Sequence, residues 1–263
     1  MRLQEGVDGY MEWLANASET CNRARQNAVL EGVWREALEA CRAALGEQHP
    51  DTATSYNYLA RCLDNQGRYG EAEPLHRTAL EIRQAALGEE HTATGTSYNN
   101  LAVCLDNQGR YGEAEALHRT ALEISRAALG EEHPATGTSY SNLAGCLHHQ
   151  GRYGEAEALH RTALEIFRAA LGEQHPDTGT SYNNLAVCLN HQGRYGEAEP
   201  LYRTALEIRQ AALGEEHPDM GTSYKNLARC LDRQGRHDEA KPFRQKALEK
   251  ALKIRRSISH ETQ

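Results

Sequence analysis

The sequence predicts an all-α chain, an α-solenoid built from stacked helix-turn-helix repeats. Three observations predict it. Tyr56, Tyr98, Tyr140, Tyr182 and Tyr224 stand 42 residues apart, as do Gly67, Gly109, Gly151, Gly193 and Gly235, and Cys62, Cys104, Cys146, Cys188 and Cys230. A fixed period of this size marks units that cannot bury their apolar faces alone and stack to share one core. Within each unit, apolar residues recur at helical spacing. Only 39% of the 263 residues are hydrophobic and two are Phe, which suits a thin double layer of helices packed with Ala and Leu.

The chain opens on a degenerate unit, residues 1–51. Counting back one period aligns Leu38 with Leu80 and Leu45 with Leu87, so residues 26–45 read as a second helix with 4–23 as its partner. Trp13 and Trp34 both lie here and are expected to close the end of the stack. Five units follow over residues 52–256. In residues 95–136, Tyr98, Leu101, Ala102 and Leu105 fall on one face of a helix of about 15 residues. Gly109 ends it, where a left-handed residue closes a helix. Ala114, Leu117, Ala121, Leu122, Ile124 and Leu129 mark a second helix of about 18 residues, and Gly130 ends that one. Glu-Glu-His-Pro then forms the loop to the next unit. Ala102, Ala114 and Ala121 are small where helices must approach closely, and Tyr111 and Leu117 fill the remaining gap. Pro74 and Pro200 fall near the starts of second helices, where the first N–H groups have no partner. A basic helix over 238–256 is expected to cap the far end, before a tail at 257–263.

Net charge is −8, with +5 in residues 241–263 and −13 in the rest. An acidic body lacks the basic footprint that nucleic acid requires. The first 20 residues lack a continuous apolar stretch, and no run is long enough to span a bilayer. Five of the seven cysteines recur once per unit. Equivalent residues of stacked repeats sit roughly 10 Å apart, beyond the reach of a disulfide. They read as reduced, half-buried packing residues, which favours a cytoplasmic location.

Tyr98, Leu101, Ala102, Gly109, Tyr111, Ala114 and Ala121 together resemble the tetratricopeptide repeat (TPR) signature. The longer unit, with Glu-Ala-Glu-Pro-Leu at 71–75, Ala-Leu-Glu-Ile at 79–82 and Leu-Gly-Glu-Glu-His at 87–91, is similar to the kinesin light chain class of that family. Leu105 stands at a usual aromatic position and Tyr98 at a usual Trp position. The resemblance implies a right-handed superhelical α-solenoid whose concave groove is lined by the first helix of each unit. It also implies that asparagines there hold the backbone of an extended peptide.

On that reading the candidate peptide-binding residues are Asn57, Tyr58 and Arg61 in the first unit and Asn99, Asn100 and Val103 in the second. Asn142, His148 and His149 follow in the third, and Asn183, Asn184, Val187 and His191 in the fourth. Lys225, Asn226, Arg229 and Arg233 complete the set. Units 95–136 and 137–178 differ at seven positions, of which four (Asn99/Ser141, Val103/Gly145, Asp106/His148 and Asn107/His149) lie on the predicted groove stripe. The exposed start of the second helix does not vary between them, so variation concentrates where a ligand would sit. Carboxamides offer donor and acceptor together, as an extended backbone needs. Lys225, Arg229 and Arg233 suit an acidic segment or a C-terminal carboxylate. The Lys and Arg placement by which chaperone-binding members clamp a carboxylate over three units is not reproduced.

Histidine is frequent, at 13 residues. His49, His91, His133, His175 and His217 recur in the loops, four of them before proline, and are expected to shape turns and cap helices. His148, His149 and His191 share the groove stripe, with no Cys or carboxylate spaced to complete a metal site. Contact with a partner there should weaken near pH 6 as the rings charge. No phosphate-binding glycine loop, nucleophile elbow or metalloprotease motif is present, and the many glutamates recur in every unit as scaffold. The sequence therefore points to a non-catalytic interaction scaffold without a cofactor, metal or membrane. The alternative is a structural or self-assembling array without a peptide ligand.

Overall fold

The computed structural model describes residues 25–215, 217 and 220–260, with side chains from 29 to 252 within those ranges. Trp13, Cys21, the expected partner helix at 4–23 and residues 261–263 of the tail lie outside the described residues. Eleven α-helices and no strand occur among the described residues. They are α1 (Arg25–Leu45), α2 (Pro50–Asn65), α3 (Tyr69–Leu87), α4 (Thr92–Asn107) and α5 (Tyr111–Leu129). Then come α6 (Pro134–His149), α7 (Tyr153–Leu171), α8 (Pro176–His191), α9 (Tyr195–Leu213), α10 (Met220–Arg233) and α11 (His237–His260). None is long and apolar enough to cross a membrane.

The chain divides between Leu129 and Gly130 into two compact units. In the first, α1 to α5 pack consecutively, and α2 also touches α4. In the second, α6 to α11 pack consecutively, with α6 touching α8 and α8 touching α10. Each unit is thus a short α-solenoid in which first helices of successive repeats lie side by side.

Local chemistry sets the boundaries. His49, His91, His133 and His175 cap the first helices: each Nδ1 accepts the backbone N–H two residues on, at 3.1–3.2 Å. That satisfies one of the free donors at a helix start. At the other end of α4, Arg110 N donates to Leu105 O at 3.0 Å and Gly109 N to Asp106 O at 2.9 Å. Gly109 sits at φ 78°, which completes a Schellman turn that a side chain would strain. The loop before α4 is tied by Thr94 Oγ1 donating to Gly88 O at 2.8 Å and by Tyr98 OH donating to Glu89. Pro74 does not fall among the unbonded first residues, as the sequence suggested. It lies inside α3, past the turn where Ala72 N already bonds Arg68 O, so the helix forgoes one hydrogen bond there.

Alanine makes the interior thin. Ala60, Ala72, Ala79, Ala102, Ala114 and Ala121 have no exposed surface. The tightest approaches use glycine: a Cβ on Gly95 would lie 3.0 Å from Ile124 Cγ2, and one on Gly179 2.9 Å from Ile208 Cγ2. Trp34 of α1 is fully buried and stacks on Tyr58 at 4.4 Å. The six described cysteines are free and buried, deeper than the half-burial expected.

Within each compact unit a polar staple joins a repeat to the one before. Arg110 reaches back to Glu73 at 2.7 Å and forward to Glu113 at 2.6 Å, while Gln108 Nε2 donates to Glu73 at 3.0 Å. Arg68 with Glu31, Arg194 with Glu157 and Arg236 with Glu199 repeat it. Although burial alone would raise the Glu73 carboxyl, hydrogen bonds from Arg77, Gln108 and Arg110 hold it at about 2.

Candidate functional site

Where α2 and α4 lie side by side, they and α3 enclose a recess of about 170 Å³. Arg61, Asp64 and Asn65 line it from α2, Asn100, Val103 and Asn107 from α4, and His76 from α3. Val103 is 40% exposed at its mouth. Arg61 lies over the Tyr58 ring at 5.5 Å, so the buried stack of Trp34 on Tyr58 supports the exposed guanidinium.

His76 is the inward-facing residue of this site, and sequence reasoning missed it. It has no exposed surface. Its Nε2 stands 2.9 Å from Asp64 Oδ2 and its Nδ1 2.9 Å from Asn57 Oδ1. Asn57 Nδ2 donates onward to Ser97 Oγ at 3.0 Å. Asn57 is consequently 4% exposed, with its carboxamide bonded on both sides, and is not a groove residue. Helix geometry is the reason: Asn57 and Asp64 are seven residues apart, two turns on one face, and that face looks toward α3. The second repeat copies the arrangement, with His118 at 2.9 Å from Asn99 and 3.1 Å from Asp106. Two of the four variable stripe positions, Asn99/Ser141 and Asp106/His148, therefore flank a buried histidine as well as the exposed face.

The second unit carries the same positions two repeat lengths on. His148 stands where Asp64 does, His160 for His76, His191 for Asn107, and Gly145 for Arg61. The His148 ring meets the edge of His191 at 4.6 Å between centroids, Tyr153 at 5.0 Å and His149 at 6.1 Å. Ser141, shorter than Asn57, leaves His160 Nδ1 buried without a partner. Burial, then the neighbouring His191 and His149, pushes His148 down to about 4, and burial with His148 does the same to His160. Burial and Arg229 lower His191. The expected weakening near pH 6 is thus corrected for His148, whose site opposes charge until well below that pH. No group of three or more His, Cys, Asp or Glu among the described residues is arranged to hold a metal ion.

Three repeat lengths on from the first recess the chemistry changes again. Tyr202 takes the place of His76, Asn190 that of Asp64, Arg229 that of Val103, and Arg233 that of Asn107. Tyr202 OH and Asn190 Oδ1 are buried without hydrogen-bond partners. Burial pushes the Tyr202 phenol up, and the Arg229 guanidinium pulls it partly back. Lys225, Arg229 and Arg233 are exposed on α10. Asn226 Nδ2 donates to Asn183 Oδ1 at 3.1 Å, and Asn183 in turn to Asn184 at 3.5 Å, forming a ladder of amides across α8 and α10. Val187 and Asn142 are half-buried on α8 and α6.

The tetratricopeptide repeat model matches residues 11–85, 64–127, 107–169, 136–210 and 177–257. A search of curated proteins finds no match. Among solved structures, the chain is similar to BtubC (BKLC) from P. vanneervenii, at 26% identity over 88% of this chain and 91% of that one, with TM-score 0.71. A putative kinesin light chain of Podosopora anserina with nearly identical TPR-like repeats matches at 28% identity over 79% of this chain and 99% of that one, with TM-score 0.65. The apo form of RapI shares the fold, at 16% identity and TM-score 0.64 over 95% of this chain.

Proposed function

The chain belongs to the tetratricopeptide repeat family, whose repeats generally mediate protein–protein interaction, and on that premise we propose that it is a non-catalytic scaffold for an extended peptide. The peptide lies along the first helices of the repeats, its backbone held by Asn100, Asn142, Asn184 and Asn226. An acidic side chain or C-terminal carboxylate docks on Lys225, Arg229 and Arg233. One observation carries this reading: these three cations have no ion-pair partner among the described residues, whereas the scaffold arginines such as Arg110 and Arg194 are paired on both sides. The exposed guanidinium groups of Arg229, which lies against the Tyr202 phenol, and of Arg233 offer donors for a carboxylate. The buried free cysteines support a reducing, cytoplasmic setting. Residues 1–51 and α11 serve as the caps of the array.

The test is a panel of extended peptides, each with acidic residues and a free C-terminus, paired with its amide counterpart. Binding is measured to the full chain and to a form carrying Arg229→Ala and Arg233→Ala. We expect a loss of about tenfold or more for the acidic members. Indifference to both changes overturns the reading. Leu248 and Leu252, 60% and 43% exposed on α11, support a second reading, end-to-end self-association. Light scattering of a Leu248→Glu, Leu252→Glu form against the parent decides it.

A further inference from the structure

The imidazoles of the second unit form a cluster with no carboxylate, at the place where the first unit has one. His148 sits on the last turn of α6, against His191 of α8 at 4.6 Å and Tyr153 of α7 at 5.0 Å. His160 of α7, 5% exposed, lies beneath it with Nδ1 unpartnered. In the first unit the buried ring at this place, His76, holds Asp64 Oδ2 at 2.9 Å, so a proton entering there meets an acceptor.

We propose that His148, His160 and His191 are a proton-operated release for the packing of α6, α7 and α8. As the medium turns acid, positive charge enters the cluster and this packing loosens, while the corresponding packing of α2, α3 and α4 stays closed.

The imidazoles and the guanidinium facing the cluster act in one direction. From α6 comes His149, from α8 His191, and from α10 Arg229, whose charge opposes a proton on His191, while Tyr153 of α7 contributes a ring contact only. Glu157, the carboxylate nearest in sequence to His160, is committed to Arg161, Gln192 and Arg194. Burial holds His148 and His160 at about 4, below the ordinary 6.5. The folded form therefore refuses protons that the unfolded chain accepts. Stability is intact above the ordinary value and falls as pH drops from there toward the folded one. The proposal does not depend on any ligand.

Amide hydrogen exchange on the full chain tests it, read as protection factors between about pH 7.5 and about pH 4.5. Acidification should cut the protection of α6 and α8 by about tenfold more than that of α2 and α4. His148→Asp gives the cluster the carboxylate of the first unit and should abolish the excess loss. His148→Asn, which copies Asn190 of the next repeat, removes one ionisable ring and should reduce it. Equal losses in the two units overturn the proposal, and so does an excess unchanged in the Asn form. The Asn form decides the matter alone if the Asp form fails to fold.

Discussion

His76 Nδ1 stands 2.9 Å from Asn57 Oδ1, and the contact converts an asparagine of the groove-lining helix into part of the interior. Asn57→Ala should strand a buried imidazole and remove a donor to Ser97. We expect a loss of about 1–3 kcal/mol in urea unfolding. Asn100→Ala, at the recess mouth, should change stability by less than about 0.5 kcal/mol. Similar losses in the two variants would contradict the assignment.

Glu73 joins Arg77, Gln108 and Arg110 across two repeats, and its carboxyl is held at about 2, below the ordinary 4.5. A carboxyl lowered by folding stabilises above the ordinary value, and the effect is lost as pH falls through the folded one. Glu73→Gln should therefore cost about 1–3 kcal/mol at neutral pH. The gap from the parent should narrow steadily below about pH 4.5. A gap independent of pH would mean that packing, and not charge, explains the cost.

Two helical glycines, Gly179 in α8 and Gly154 in α7, should respond with opposite sign. Gly179→Ala drives a methyl to 2.9 Å from Ile208 Cγ2. Despite the better helix propensity of alanine, it should destabilise by about 1–3 kcal/mol. Gly154→Ala meets nothing within 4 Å. It should stabilise by about 0.5–1 kcal/mol through the unfolded chain. Thermal unfolding of the two variants measures both.

The Cys104 thiol is pushed up to about 12 by burial, with the Asp64 charge adding to it. A thiol-specific reagent at neutral pH should leave Cys104 untouched in the folded protein and label it at once in denaturant. Rapid labelling without denaturant would show that α4 opens readily.

Much of the architecture was legible because punctuation is unambiguous. Gly109 and Gly130 stop helices by conformation alone, and Tyr98, Leu101 and Leu105 declare one face. The cations Arg229 and Arg233 were legible too, four residues apart on one helix face, although only the structure shows Asp232 between them taken by His237 and Arg244. Asn57 and Asn99 were not, because a polar residue on a first helix reads as solvent-facing until its buried partner is known. That partner, His76 or His118, is itself a polar residue with no surface. The one available signal was paired change: Asn57 and Asp64 become Ser141 and His148 around an unchanged histidine, His160, and Asp64 and His76 become Asn190 and Tyr202 beside an unchanged asparagine, Asn183. The loop histidines were read as caps, but only the structure shows the ring nitrogen accepting the bond.

The staple of Arg110 on Glu73 is built so that each of the four inner repeats carries both halves in its sequence, a carboxylate (Glu73, Glu115, Glu157, Glu199) and a guanidinium (Arg68, Arg110, Arg152, Arg194), whereas the last has Lys241 in place of the carboxylate. Any of these four can therefore follow any other. Copying or excising one whole period leaves no stranded charge at the seam, because the new neighbours present the same pair. Array length becomes a quantity that gene duplication can change in single steps. The buried trios beneath the first helices can meanwhile diverge one repeat at a time without disturbing the joints.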